Sequence, residues 1–315
     1  MSSWRQASPS EPGLAARRSY RLDRCRACGT AALAPRERSE ESDLLYRKGH
    51  YAPASSLAEP VLEKLRQVLD RDRLRLLAPL APGSRIFEIG AGDGRLVTAL
   101  LNRGYDASGI DPTRARGSPR RERATVAPVR FEDYESSAQQ DAVVAMHVLE
   151  HLDDPEAAVA KAARMLKPGG VLVVAVPNLA SLQASLGGDA WFHQDIPRHA
   201  TLFTRAGLVA LLERSGLRVE NVTTRVLDQT LLGMWQTLLN RLTRERNVLF
   251  RLLKGQLPTG RGLRPGLDVA VTVVAALPLA LAAVALEGLA VLAQRGGAVV
   301  ARAVVQSAPP TEASP

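Results

Sequence analysis

The chain has 315 residues, enough for one large α/β domain with additions or for two small domains. With 46% hydrophobic but only 4% aromatic residues, its core must be built from Ala, Val and Leu, and its net charge of +9 favours anionic partners: nucleic acid, a phosphorylated substrate or a membrane surface. Two cysteines, Cys25 and Cys28, exclude a disulfide framework, and the stretch from Met1 to Tyr20 holds no apolar segment of secretory type, so a cytoplasmic location is expected.

Residues 1–20 are rich in Ser, Pro, Arg and Ala and read as a disordered lead-in. Residues 21–80 read as an extension: the Cys pair, a charged stretch, then a helix carrying Leu57, Val61, Leu62, Leu65, Val68, Leu69 and Leu74. Pro82-Gly83 breaks the chain. Strands are expected at 84–89, 105–110, 126–131, 141–146, 171–176 and 217–226, and helices at 94–102, 155–166 and 204–215. Lys167-Pro168-Gly169-Gly170 is the turn into the fifth strand, and Gly216 caps the last of these helices. Residues 112–123 are polar and Arg-rich, a loop or a short helix. Residues 228–295 form an insert, basic and helical over 228–266 and apolar over 269–286, with Pro278 inside and Glu287 interrupting it. Residues 298–305 supply a last strand, and 306–315 read as a disordered tail. The pattern predicts an α/β fold with a doubly wound, mostly parallel seven-stranded sheet over 81–227 plus 296–305, the hydrophobic helical insert preceding the final strand.

The first strand runs directly into Gly90-Ala91-Gly92-Asp93-Gly94, with Glu88 two residues before the first glycine. Glycines there allow a sharp turn and close approach of a ligand to the main chain at the carboxyl end of a strand. The spacing is shorter than the G-x-G-x-x-G of dinucleotide-binding turns, and no G-K-[ST] follows as in a P-loop. The second strand ends Gly109-Ile110-Asp111. A carboxylate about 20 residues past such a turn can accept both ribose hydroxyls of an adenosyl group, or it can cap a helix that begins at Pro112.

These residues resemble the class I (Rossmann-like) S-adenosylmethionine-dependent methyltransferases. Phe87–Gly94 looks like the family's first motif, Gly109-Ile110-Asp111 like the acidic end of its second strand, and the segment from Asp141 to Leu152 like its fourth strand and following loop. The segment from Leu166 to Leu172 looks like the turn into its fifth strand. The resemblance implies S-adenosylmethionine as cofactor, held by Glu88, Gly90, Ala91, Gly92, Asp93, Gly94 and Asp111, with Glu132 or Asp133 near the adenine amine and Met146 and His147 beside the cofactor. The chain departs from the family at 112–123, where a proper helix is usual.

Methyl transfer is an in-line displacement that depends on alignment, and an oxygen or carbon acceptor also needs a base. The stretch from Trp191 to Thr204 resembles the family's W…D-x-P-R-H…F-T segment, and His199 or His193 is a candidate base or acceptor-binding group, with His147 a third. Their alternative role is to tie the loop to the core. Ubiquinone-type O-methyltransferases carry E-x-x-E-H with a later Asn at the strand-four loop. Here His147 replaces the first Glu, while Glu150, His151 and Asn178 remain. That set could hold a metal through mixed N and O ligands, but loop orientation without metal is the expectation. Cys25-Arg26-Ala27-Cys28-Gly29 resembles half of the zinc ribbon that precedes some bacterial methyltransferases, including sugar C-methyltransferases. With two of the four ligands missing, it reads as a metal-free remnant.

The 18-residue apolar run at 269–286 is near the lower limit for spanning a bilayer, and it follows a basic stretch. If 298–305 rejoins the sheet, a single crossing is excluded and an in-plane or re-entrant hairpin split at Pro278 is allowed. A homodimer interface or a packed helical subdomain is the alternative. The expected function is methyl transfer to a lipid-linked, glycan or isoprenoid-type acceptor at the inner membrane face. Alternatives are a soluble sugar nucleotide or small metabolite, or a non-catalytic cofactor-binding scaffold. The strand-four loop lacks the Asn/Asp-Pro-Pro-aromatic signature used on base amines, so nucleic acid is not the expected acceptor.

Overall fold

The computed structural model describes residues 1–9, 19–34, 74–77, 79–113, 125–225, 230–256 and 263–306. In chain order the strands are β1 (Ser2–Ala7), β2 (Tyr20–Arg24), β3 (Ala31–Ala34), β4 (Arg85–Ile89), β5 (Asp106–Ile110), β6 (Thr125–Ala127), β7 (Gln140–Met146), β8 (Leu166–Pro177), β9 (Thr201–Leu202), β10 (Leu217–Thr223) and β11 (Ala298–Val305). The helices are α1 (Arg95–Leu101), α2 (Pro155–Met165), α3 (Leu182–Gly187), α4 (Arg205–Arg214), α5 (Thr230–Asn240), α6 (Val248–Leu253) and α7 (Leu263–Leu292). The helix expected before residue 80 lies largely outside the described residues, as does most of 112–123. The chain divides into two compact units. One comprises Met1–Arg66, Pro177–Gly207 and Thr223–Val299; the second comprises Gln67–Val176, Leu208–Val222 and Val300–Pro315. This division differs from the sequence-based one, which assigned 177–207 to the sheet domain.

The second unit is built on a seven-stranded sheet of order β10-β11-β8-β7-β4-β5-β6. Strand β4 pairs in parallel with β5 and β7, β5 with β6, and β7 with β8. The central strands are apolar without alternation because both faces are covered: Ile86, Ala142, Val143, Val173 and Val176 are fully buried. Helix α2 begins where Asp154 accepts the N–H groups of Glu156 and Ala157, with Pro155 in the first turn. Gly216, at φ 81, follows the end of α4 as a left-handed cap.

Two boundaries differ from expectation. Residues 167–170 do not separate a turn from a strand; β8 runs through them as a bulge, its register jumping from Gln140↔Leu166 to Ala142↔Val171. Lys167 fixes the bulge by an ion pair to Asp141 at 2.7 Å, and Gly169 takes φ 76. Strand β6 ends at Ala127 rather than 131, because 131–133 turn away under Lys161, whose Nζ donates to the carbonyls of Phe131 and Glu132.

The first unit contains an antiparallel sheet of order β1-β2-β3-β9. Residues 2–7, expected to be disordered, form β1. Pairing with β2 satisfies their backbone, and Trp4 packs against a cluster of Ala7, Leu22, Ala31, Trp191, Ile196 and Leu202. The sequence Ser-Ser-Trp-Arg-Gln-Ala shows no apolar alternation that would announce this. In the insert, α5, α6 and α7 are separate helices, and α7 is one 30-residue helix that continues through Pro278. The hairpin split at Pro278 that the sequence allowed does not form. Proline removes one ladder bond, but Thr272 on one side of it and Ala283 on the other are buried against the unit and hold both halves in line. The final strand β11 forms as expected and lies between β10 and β8.

Candidate active site

The turn after β4 is shaped by backbone positions that side chains rarely adopt. Gly90, Gly92 and Gly94 have φ of 73, 54 and 81, and the N–H groups of Gly90 and Ala91 both donate to the carbonyl of Ile110 at 2.9 Å. A Cβ on Gly90 would collide with Cγ2 of Val148, whereas one on Gly92 meets no protein atom within 4 Å. Gly109 is equally constrained: a Cβ there would stand 2.7 Å from the Glu88 carbonyl and 2.8 Å from the Ala91 Cβ. The ends of β4 and β5 are thus drawn together in the way a ligand cradle requires, with the turn open on the side of Gly92. Glu88 is buried on β4, and Asp93 is exposed, its carboxylate accepting the N–H of Arg95 at the start of α1.

Asp111 is buried at the tip of β5. One carboxylate oxygen accepts the Gly92 N–H at 2.8 Å; the other accepts the Thr113 N–H at 2.8 Å and its hydroxyl at 2.5 Å. The carboxylate is therefore fixed against the glycine turn, and Thr113, a residue the sequence reading passed over, aims it. The Asp-Pro-Thr order is the signal that could have revealed it, since such an Asx turn bonds its own backbone two residues on. Glu132 is exposed and 3.8 Å from Arg130.

At the end of β7, Met146 is buried and His147 takes φ 57, a left-handed conformation uncommon for a residue with a side chain. Its N–H donates to Ala175, and its Nδ1 lies 3.4 Å from Oε1 of Glu150, whose side chain is 2% exposed. Glu150 and His151 sit in one turn of 3-10 helix, Leu149–His151. Val148, the residue that covers Gly90, links this His–Glu pair directly to the glycine turn. The structure thus brings together Gly90–Gly94, Asp111 and the His147 loop in the second unit.

The other histidine pair belongs to the first unit. His199 Nδ1 lies 2.7 Å from the carbonyl of His193. The His193 ring stands edge-on to Phe192, 4.9 Å between centroids, and packs so closely on α5 that a Cβ at Gly233 would strike its Nε2. Arg198 grips Asp195 through two hydrogen bonds of 2.8 and 2.7 Å. Asn178 donates to the carbonyl of Gly296 and accepts the N–H of Ala180, tying the exit of β8 to the turn before β11. Cys25 and Cys28 are free thiols on the tight turn between β2 and β3, and hydrogen bonds from the backbone of Cys28 and then Ala27 hold Cys25 below the usual thiol range. Sequence reasoning also missed Gln183, and it read Glu287 only as an interruption of the apolar run. Burial pushes the Glu287 carboxyl up, while donors from Gln183 and Gly297 oppose that rise.

A family model described as a methyltransferase domain matches residues 61–222. The chain is 29% identical over 206 residues to a protein named ubiquinone biosynthesis O-methyltransferase from Azorhizobium caulinodans, covering 60% of this chain and 81% of that one. It is 30% identical to the protein of the same name from Xylella fastidiosa strain 9a5c, covering 51% and 72%. Among solved structures, Haemonchus contortus phosphoethanolamine N-methyltransferase 2 with S-adenosyl-L-methionine aligns at 18% identity and a TM-score of 0.46, over 76% of this chain and 52% of that one. The glycine cradle, open at Gly92 and flanked by the fixed Asp111 carboxylate, fits S-adenosylmethionine. The chain belongs to the class I S-adenosylmethionine-dependent methyltransferases.

Proposed function

We propose that this enzyme methylates a hydroxyl group on a small acceptor of isoprenoid or lipid-linked type, at the cytoplasmic face of a membrane. The observation that carries the reading is the His147–Glu150 pair beside the glycine turn. S-adenosylmethionine, when bound, supplies a methyl group on a positively charged sulfur. The protein must then align the acceptor and take its proton. A histidine backed by a buried carboxylate suits that task, because the carboxylate can orient the ring toward the acceptor. The carboxylate of Asp111 and the main chain of Gly90–Gly94 would hold the cofactor, with Met146 against it. Glu132 would serve the adenine side.

The acceptor class is supported by the names of the two relatives and by the segment Pro265–Leu292, within which an 18-residue window reaches a mean hydropathy of 2.6 with only 11% of that window buried. His199 and His193 are the alternative base. Their mutual bond, and the packing of His193 on α5, favour a positioning role for the loop.

The test is methyl transfer from labelled S-adenosylmethionine to a prenylated catechol, a lipid-linked glycan and a sugar nucleotide. The expected result is transfer to the lipidic acceptors. His147→Ala should lower that rate by about 10²–10⁴, the usual contribution of a general base, while leaving S-adenosylhomocysteine affinity intact. Transfer only to the sugar nucleotide would replace the acceptor reading. Full activity of His147→Ala would remove the base assignment.

A further inference from the structure

Helix α7 is inside out compared with a helix on a water-facing surface. The only charged residues between Pro265 and Leu292 are Asp268 and Glu287, and both point inward, 5% and 2% exposed. Asp268 accepts the N–H groups of Arg244 and Glu245 at 3.1 and 3.0 Å. The Trp235 indole N–H donates to the carbonyl of Ala276 at 2.8 Å. Glu287 accepts from Gln183 and from the Gly297 N–H, each at 2.8 Å. The opposite face carries Leu267, Val273, Val274, Leu277, Leu281, Val284, Leu289 and Leu292, each 59–79% exposed. They are eight of the twelve large apolar side chains that stand exposed among the described residues, so the apolar surface is concentrated on one helix. At 3.6 residues per turn, the buried positions 268, 272, 283, 287 and 290 form one stripe and the outward set forms the other.

We propose that this outward face is a membrane anchor that lies in the plane of the bilayer, its aliphatic side chains among the acyl chains and its flanking arginines on anionic phospholipid headgroups. The inference deepens the membrane-face reading of the proposed function and rests on it for location, not for the identity of the acceptor.

Composition selects lipid over a second copy of the chain. The face is wholly aliphatic, without the aromatic, Met or Arg anchors and hydrogen-bonding groups on which protein interfaces depend. Charge agrees. Arg241 and Arg244 are exposed beside the N-terminal half, where Asp268 binds the 244–245 backbone, and Arg295 is exposed just past the C-terminal end. Such a rim matches anionic headgroups, as does the net charge of +9.

Attachment selects the in-plane orientation over a crossing. Positions 268 and 287 are 19 residues apart, about 28 Å of helix, close to the roughly 30 Å of bilayer hydrocarbon. Both are bonded to the same compact unit. A crossing helix would place one of these bonded ends on the far side of the membrane and draw the unit in with it.

The test is flotation of the full-length protein with vesicles of phosphatidylcholine alone and of phosphatidylcholine with phosphatidylglycerol. Nitroxide depth readings at Val274, Leu281 and Leu289 follow, in a chain with Cys25 and Cys28 replaced by Ser. The wild type should float, more strongly with the anionic lipid, and the three positions should report one common depth. Leu277→Lys with Leu281→Lys should weaken partitioning by at least about tenfold while S-adenosylhomocysteine affinity is unchanged. Leu186→Lys, an exposed position outside α7, should have no effect. A wild type that stays with the aqueous phase overturns the inference. So does a graded depth from 274 to 289, or a Lys pair that only converts a dimer to a monomer. Floating protein that methylates only a water-soluble acceptor leaves the anchor standing and refutes the acceptor reading. Methylation of a lipid-linked acceptor without flotation does the reverse.

Discussion

Gly90→Ala separates the two physical demands that the turn makes on its first glycine. The backbone demand is φ 73, the left-handed region, where an added Cβ costs about 1–2 kcal/mol. The packing demand comes from Cγ2 of Val148, which occupies the place a Cβ would take; overpacking of this kind costs about 1–3 kcal/mol. The substitution should therefore destabilise the protein by roughly 2–5 kcal/mol, the sum of those terms. In a Val148→Ala background the methyl that collides is gone, and the same substitution should cost only the backbone share, about 1–2 kcal/mol. Urea unfolding of the four proteins closes the cycle, with S-adenosylhomocysteine titration run beside it. Gly90→Ala within about 0.5 kcal/mol of wild type, or equal costs in both backgrounds, would refute the account of the turn.

Other outcomes follow from the same contacts. Asp111→Asn sets an amide N–H against the donor from either Gly92 or Thr113, so cofactor affinity should fall at least about tenfold, the worth of a hydrogen bond to a charged group; calorimetry reads it. Glu287, with its pKa raised by burial, binds a proton more tightly folded than unfolded. Its share of stability is thus full below the ordinary carboxylate range and is lost as pH rises through the folded value; Glu287→Gln should flatten that fall in the urea midpoint. Asp141 behaves oppositely, held low by its bond to Lys167. Its share is present above the ordinary carboxylate range and is lost as pH falls, and Asp141→Asn should blunt the acid limb. Exhaustive chelation should leave the methylation rate unchanged. A loss restored by a divalent ion would instead make Glu150 and His151 ligand candidates.

The sheet and its cofactor turn were legible because the central strands carry apolar runs, Ala142–Met146 and Val171–Val176, and the turn's glycines take positive φ, which side chains rarely adopt. Gly90 and Asp111 fall in register because β4 and β5 pair with Ile89 opposite Ile110. Features made by tertiary contact were not legible. The strand at Ser2–Ala7 exists only through β2 and the packing of Trp4. The bulge at 167–170 depends on Lys167 reaching Asp141 across the strand pair. Pro278 looked like a break because local propensity says so, but packing on both sides overrides it. Glu287 looked like an interruption of an apolar run, yet it is the inward bond that fastens the end of α7. At the site, Val148 and Thr113 carry no motif of their own; only the folded contacts reveal that one covers Gly90 and the other aims Asp111.

The central claim is that the turn at Gly90–Gly94 and the Asp111 carboxylate hold S-adenosylmethionine. Its most direct test is calorimetric binding of S-adenosylhomocysteine to the wild type, to Asp111→Ala and to Gly92→Arg, whose side chain would rise from the one glycine of the turn's first pair that has no protein atom above it. The account predicts micromolar binding by the wild type and none by either variant. A well-folded wild type that does not bind, or variants that bind as the wild type does, would contradict it.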